Sequence, residues 1–329
     1  MENILDIEDL HVHFHTYEGT VHALGGVNLG LRRREMLGLV GETGCGKSVC
    51  ALSVLRCIPE PGRIARGRIS LDGENLLEKT EEEMRAVRGS KVSMIFQDPT
   101  SSLNPVLTVG EQLLDVITTH QPLSAKEARE NAVEILRTVM LPDPEPALKK
   151  YPHQLSRGMR QRVMIAMALS CKPSVLIADE PTTALDVTVQ AQILHLIKDL
   201  QAKTETSILL ITHDVGVVAE TCDRVAVMYA GKIVEIGDVI SVLERPKHPY
   251  TVGLLDSIPK VQKEKPPLGL IKGTLPNLID PPSGCRFHPR CAQVMDVCRA
   301  KEPELVEVGR GHCTACFLYS HRNSSVKNP

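Results

Sequence analysis

Gly41-Glu42-Thr43-Gly44-Cys45-Gly46-Lys47-Ser48 decides the reading of this chain. The octapeptide has the spacing G-x-x-x-x-G-K-[ST] and follows the apolar run Met36 to Val40, the strand-then-turn context a phosphate-binding loop needs. Its glycines let backbone N–H groups close around phosphate oxygens, and a helix starting near Lys47 points its positive end at them. Lys47 is then placed to reach the β- and γ-phosphates, and the Ser48 hydroxyl to ligate Mg²⁺. The stretch implies that the chain binds a nucleoside triphosphate.

Working outward, 329 residues are enough for one large domain and a smaller one. The formal charge of −2 gives no electrostatic case for nucleic acid as the main partner. No apolar run approaches the ~18 residues that cross a bilayer, and no basic-then-apolar leader opens the chain. We therefore expect a soluble, cytoplasmic protein. Of the ten cysteines, Cys285, Cys291, Cys298, Cys313 and Cys316 crowd into one short window. In a cytosolic protein that pattern reads as a metal site sooner than as disulfides.

Residues 4–35 alternate apolar and polar positions around a turn at Tyr17-Glu18-Gly19, which predicts a half-exposed antiparallel sheet. Gly67 to Leu71 adds a strand closed by Asp72-Gly73. Lys91 to Phe96, Val175 to Ala178 and Ile208 to Thr212 are short apolar runs with polar ends, as buried parallel strands are. Between Thr108 and Lys150 the period turns helical, with Ala128, Ala132, Ile135, Leu136 and Val139 on one face of Ala125 to Met140. Val189, Ile193, Leu196, Ile197 and Leu200 make a second helical stripe. Arg224 to Gly237 reads as a hairpin turning at Gly231-Lys232. Strands alternating with helices predict a parallel α/β core with a helical insertion. A boundary is expected near Arg245 to Tyr250, followed by a Pro- and Lys-rich linker over 260–283.

A phosphate loop alone fits many enzymes. Ser174-Val175-Leu176-Ile177-Ala178-Asp179-Glu180 narrows the choice, because an apolar strand ending in Asp suits a Mg²⁺ carboxylate and the next Glu can polarise a water. Leu155-Ser156-Arg157-Gly158-Met159 precedes an apolar helix, so Ser156 and Gly158 can offer N–H groups to the phosphate of another subunit. Gln97 and His213 end two further strands. Strand ends in such sheets converge on one crevice, so Gln97, Asp179, Glu180 and His213 are expected to face one phosphate.

In this order, these segments resemble the ATP-binding-cassette (ABC) family over residues 1 to about 250. The resemblance implies an α/β P-loop NTPase with an antiparallel β subdomain, a helical subdomain at about 98–160, and a nucleotide-binding domain over 1–245. It makes Gly41 to Ser48 the Walker A loop, Gln97 the Q-loop and Leu155 to Met159 the signature. Asp179 and Glu180 become Walker B with its catalytic glutamate, Ala184-Leu185-Asp186 the D-loop and His213 the switch histidine. Glu180, His213 and Lys47 would carry catalysis, Ser48, Gln97 and Asp179 would hold Mg²⁺, and Tyr17 would stack on adenine. Gln97 and the segment Asp98 to Pro105 would report ATP status to a permease.

The closer likeness is to the dipeptide, oligopeptide and nickel importers, on Met159-Arg160-Gln161-Arg162, His248-Pro249-Tyr250-Thr251 and the cysteine tail at 246–329. It implies a second ABC ATPase subunit in a heterodimer, two transmembrane permeases and an extracytoplasmic solute-binding protein, at the cytoplasmic face of a membrane. Arg157 departs from the family's usual glycine and adds bulk and charge where the opposite ATP docks. A cassette ATPase acting on DNA or ribosomes is the rival reading, and the single compact cassette without a basic tract argues against it.

Four soft thiolates select zinc or an iron–sulfur cluster, with His288 and His312 nearby, and the spacings lack the paired C-x2-C knuckles of zinc ribbons. The importer resemblance implies a [4Fe–4S] cluster on Cys285, Cys291, Cys298 and Cys316. Cys316 is chosen over Cys313 because Ala315-Cys316-Phe317 matches the family's context for the last ligand. Zinc is the alternative. The expected role is a staple for a tail too short to bury much core.

Overall fold

The computed structural model describes residues 2–183, 185–257 and 271–320. Ala184 and residues 258–270, which take in the first part of the linker expected over 260–283, lie outside the described residues, as do 321–329. The strands are β1 Asn3–Thr16, β2 Gly19–Arg32, β3 Met36–Val40, β4 Gly62–Leu71, β5 Glu74–Asn75 and β6 Val92–Ile95, then β7 Val175–Asp179, β8 Ser207–Ile211, β9 Arg224–Tyr229, β10 Lys232–Asp238, β11 Val306–Gly309 and β12 His312–Thr314. Contacts divide the chain into two units.

The first unit gathers residues up to Leu5, Leu31–Met36 and Leu71–Ile211. Its strands β6, β7 and β8 lie in that order and run parallel, with Val92 opposite Val175 and Val175 opposite Ser207. All three are buried along their whole length, which is why they read as unbroken apolar runs. Between β6 and β7 stand the helices Val109–His120, Ala125–Thr138 and Arg157–Leu169, packed on one another. Thr108 with Glu111, and Ser124 with Glu127, form capping boxes that fix where the first two begin. Ala128, Ala132, Leu136 and Val139 are fully buried, as their helical spacing predicts, whereas Ile135 is only half-buried. Helix Val187–Thr204 follows β7 and buries Ile193, Leu196, Ile197 and Leu200.

The second unit gathers Asp6–Gly30, Leu37–Ser70 and the chain from Thr212 onward. Here β2, β1 and β4 lie side by side, and a second sheet runs β11-β12-β10-β9-β3. β3 is parallel to β9, and β9, β10, β12 and β11 pair antiparallel in turn. Two expectations shift by a few residues. β4 starts at Gly62 rather than Gly67, and the β9–β10 turn falls on Ala230 and Gly231, both at positive φ, rather than on Gly231-Lys232. A two-residue turn of that kind needs positive φ at both central positions, and the pairing of Lys232 with Tyr229 leaves only Ala230 and Gly231 to make it. The tail joins this sheet: Glu235 of β10 pairs with Thr314, and Ile236 with Cys313. Glu235 is fully buried, and its carboxylate accepts the N–H groups of Lys247 (2.7 Å) and His248 (2.8 Å) and lies 2.7 Å from His312 Nε2.

Candidate nucleotide-binding and hydrolysis site

In the second unit, β3 delivers the chain to Gly41. A Cβ there would stand 2.1 Å from the Met228 carbonyl oxygen, and one on Gly46, at φ +109°, 2.8 Å from the Leu24 side chain. Gly41 is thus fixed by close backbone approach, and Gly46 by its positive φ beside the Leu24 side chain. Helix Lys47–Val54 begins at once, with no side-chain cap over its first turn. Its leading N–H groups are the kind that bind an anion. Lys47 is buried, and its ammonium donates to the carbonyls of Gly41 (2.8 Å) and Glu42 (3.2 Å), which holds the cation at the heart of the loop. Ser48 is half-buried in the first helical turn, while Thr43 and Gly44 are exposed.

Cys45 is fully buried and burial pushes its thiol pKa up, so it stays protonated and packs rather than reacts. Tyr17 stands at the β1–β2 turn with its ring wholly in solvent. His213 is exposed, one residue beyond Thr212, whose N–H donates to the Leu39 carbonyl of β3 at 3.3 Å. Its neighbour Asp214 caps helix Val215–Thr221 through the N–H groups of Gly216 and Val217.

In the first unit, Asp179 is buried at the C-terminal end of β7. Glu180 follows in the left-handed region at φ +45°, with its N–H donating to the Ile211 carbonyl at 2.9 Å. Its Oε2 accepts from Thr183 Oγ1 (2.8 Å) and from Gln97 Nε2 (3.0 Å). The expected partners Gln97, Asp179 and Glu180 are thus brought together. Thr183 joins them although nothing in Pro181-Thr182-Thr183 singles it out. Ser156 caps helix Arg157–Leu169 by accepting the Met159 N–H at 3.2 Å, so the signature segment is a helix N-terminus as expected. Gly158 sits where a Cβ would come within 3.1 Å of Val189 Cγ1. Arg157 is exposed and donates to the Thr183 carbonyl at 3.5 Å. Asp186 is an N-cap, accepting the Val189 N–H at 2.9 Å, and Ala184 of the same segment lies outside the described residues.

In the tail, Cys285, Cys291, Cys298 and Cys316 line one small cavity together with Phe287, His248 and His288. No disulfide joins them. Burial is the main cause pushing the thiols of Cys285 and Cys316 up to about 11, and the neighbouring cysteines add to it. Cys313 lies apart in β12, and His312 turns to Glu235 rather than to the cysteines. Among the described residues, no group of three or more His, Cys, Asp and Glu side chains is arranged to hold a metal ion.

A glycine-cradled lysine at a strand-to-helix turn, and an Asp-Glu pair ending a buried parallel strand, define a P-loop nucleoside triphosphatase. Comparison with known proteins narrows the class. Residues 24–183 match the ABC transporter family model, and residues 234–298 match that of the oligopeptide/dipeptide transporter C-terminal region. A protein of Sinorhizobium fredii named "Probable peptide ABC transporter ATP-binding protein" is 52% identical over 99% of this chain and 96% of its own length. The "Dipeptide transport ATP-binding protein" of Bacillus subtilis is 49% identical over 98% of this chain and 96% of its own. Among solved structures, a dimeric ATP-binding cassette in a post-hydrolysis state with ADP and Pi superposes with a TM-score of 0.65. It is 26% identical and covers 71% of this chain and 98% of that one. The chain belongs to the ATP-binding proteins of the oligopeptide/dipeptide branch of ABC transporters.

Proposed function

We propose that this chain hydrolyses ATP to energise a membrane importer of peptides or related small solutes. The observation that carries the reading is similarity at 49–52% identity to peptide and dipeptide ATP-binding proteins along 98–99% of the chain, tail included. Lys47 and the loop amides would bind the β- and γ-phosphates. Ser48, Asp179 and Gln97 offer the oxygen donors a hard Mg²⁺ ion takes. Glu180 would orient or deprotonate the water, and His213 would hold the γ-phosphate geometry. Ser156 and Gly158 would serve the ATP of a second cassette subunit, Asp186 would face the same interface, and exposed Tyr17 would stack on adenine. Two permeases and a solute-binding protein complete the assembly, and substrate choice rests with them. Among the described residues no helix is long and apolar enough to cross a membrane, which suits a subunit held at the cytoplasmic face by its partners.

The tail cysteines support a second element of this reading. Cys285, Cys291, Cys298 and Cys316 would hold a [4Fe–4S] cluster as a structural cross-link for residues 246–329, the C-terminal extension beyond the ATPase domain at 1–245. Support comes from four soft donors around one cavity, with Cys313 elsewhere. A cubane seats its four thiolates on four different irons, so its ligands stand farther apart than around a single ion, and free thiols there need not converge.

The test is isolation of the tagged chain from membranes of its source organism. Recovery of two multi-span permeases and a second cassette is expected. Recovery of ribosomal or DNA-repair proteins alone would leave the cassette standing and overturn the transport reading.

A further inference from the structure

We propose that Tyr250 and Arg290, both from the C-terminal segment, are positioning residues for ATP that hold the phosphate loop through Glu42. The inference rests on the reading of Gly41 to Ser48 as the nucleotide loop, and all its contacts lie within the second unit.

Glu42 is held at every polar group it has. Its N–H donates to the Tyr250 hydroxyl at 2.9 Å, and its carboxylate accepts from Arg290 NH1 at 2.9 Å. Its carbonyl is one of the two that carry the Lys47 ammonium. The Glu42 N–H shares a planar peptide with the Gly41 carbonyl, which accepts from the Lys47 ammonium at 2.8 Å, so the Tyr250 tether sets the direction in which that carbonyl points. Rotation of the Gly41–Glu42 peptide would carry the ammonium with it, and the Arg290 tether holds the Glu42 side chain against the same movement.

The tethers are themselves anchored. Tyr250 is fully buried, its N–H donates to His248 Nδ1 at 3.1 Å, and its ring meets those of Tyr229 (4.6 Å) and Phe287 (5.5 Å). Burial pushes the Tyr250 hydroxyl pKa up, so it stays a neutral group able to accept. Arg290 keeps 8% of its side chain exposed. It lies over the Tyr229 ring at 5.7 Å and donates to the carbonyls of Lys272 (3.0 Å) and Gly273 (3.2 Å). An exposed ion pair would be worth little, but one side chain here is nearly buried and the other shows 27% of its surface. The opposite rim of the loop is pinned separately, by the Gly231 N–H on the Cys45 carbonyl at 2.7 Å. Loss of the tail contacts would thus free one rim and leave the other in place. The run His248-Pro249-Tyr250 works as a unit here, since Pro249 starts the helix Pro249–Asp256 and His248 orients the tyrosine that reaches the loop.

The test measures ATP affinity by equilibrium binding and steady-state hydrolysis on the full chain, for Arg290→Gln, Arg290→Lys, Tyr250→Phe, Glu42→Gln and the Arg290→Gln/Glu42→Gln pair. A charge-assisted hydrogen bond removed at this point should weaken ATP binding about five- to twentyfold. The loss should appear in KM, with kcat at saturating ATP within about twofold. Arg290→Lys should recover part of it, and the double variant should be no worse than the poorer single one. Tyr250→Phe keeps the buried ring and decides the matter if the arginine variants fold poorly. ATP affinity within about twofold of the parent in Tyr250→Phe and folded Arg290→Gln would overturn the proposal. A parent chain that binds no ATP would overturn the nucleotide reading instead, so the two failures are told apart.

Discussion

Replacing Glu180 by glutamine is the sharpest probe of the hydrolytic centre. The side chain is held from three directions: its backbone at φ +45°, the Ile211 carbonyl on its N–H, and two donors, Thr183 Oγ1 and Gln97 Nε2, on one carboxylate oxygen. Glutamine has the same length and can still accept at one oxygen, so neither the loop nor the buried Asp179 before it needs to move. What is lost is the negative charge and the capacity to take a proton from water. General-base catalysis by a positioned carboxylate contributes about 10²–10⁴ in rate, or roughly 3–5 kcal/mol of barrier. We place the loss near the middle of that range, at about a thousandfold.

Phosphate release at saturating Mg²⁺-ATP measures the turnover, and equilibrium ATP binding on the same preparation measures the ground state. Binding should stay within about threefold of the parent while turnover collapses. Thr183→Val serves as the calibration, because it removes one hydrogen bond to the carboxylate, worth about 1.5 kcal/mol, but leaves the charge, and should slow turnover only about tenfold. A Glu180→Gln chain that hydrolyses within about threefold of the parent would refute the assignment. So would a Thr183→Val defect as deep as that of Glu180→Gln.

Other consequences are open to measurement. Glu235→Ala strands the N–H groups of Lys247 and His248 and the His312 ring inside the protein, and should lower the unfolding free energy by about 3–5 kcal/mol. A urea-unfolding loss below about 1 kcal/mol would mean that water reaches those groups. If the proposed cluster is held as we read it, the purified chain should carry iron that Cys285→Ser or Cys316→Ser releases with a lower melting temperature, whereas Cys313→Ser should do neither; equal iron in all three would dismiss the cluster. Arg157→Gly removes a guanidinium from the signature helix start, and in the assembled complex should raise ATP turnover about two- to fivefold. An unchanged rate would sink the idea that the arginine weakens the site this signature serves.

Much of the fold is legible in the sequence because its parts are written locally. Gly41 to Ser48 carries its own turn, anion site and helix start, and β6, β7 and β8 advertise their burial as unbroken apolar runs. What stays hidden is what depends on a neighbour across the sheet. Gly67 has the look of a strand start, yet it lies inside β4 at φ +120°, where a Cβ would come within 2.7 Å of Leu10 Cα. It marks close approach to β1 rather than a beginning. Residues 62–66 carry no apolar alternation to betray the longer strand, since most of them are exposed. β11 and β12 escape notice because the cysteine and histidine of Val306 to Thr314 draw the eye to metal chemistry. β12 forms by adding to β10, where Glu235 meets Thr314 and Ile236 meets Cys313, and β11 by adding to β12, pairings that sequence separation conceals.

Glu235 and His312 follow the same logic. Each reads alone as an ordinary polar residue, the glutamate in a hairpin strand and the histidine beside a cysteine cluster, and only their pairing explains why both are buried. The candidate catalytic side chains are legible because chemistry restricts which residue types can sit at a strand end. Tyr250 and Arg290 are not, because any residue able to reach Glu42 from across 208 or 248 positions would serve, and sequence separation conceals the reach. The part of the site proposed to act on phosphate is thus encoded by residue type, and the part proposed to steady it by topology. For that reason substitutions in the tail, outside the phosphate-loop and strand-end motifs, should be able to alter ATP affinity while leaving the hydrolytic step intact.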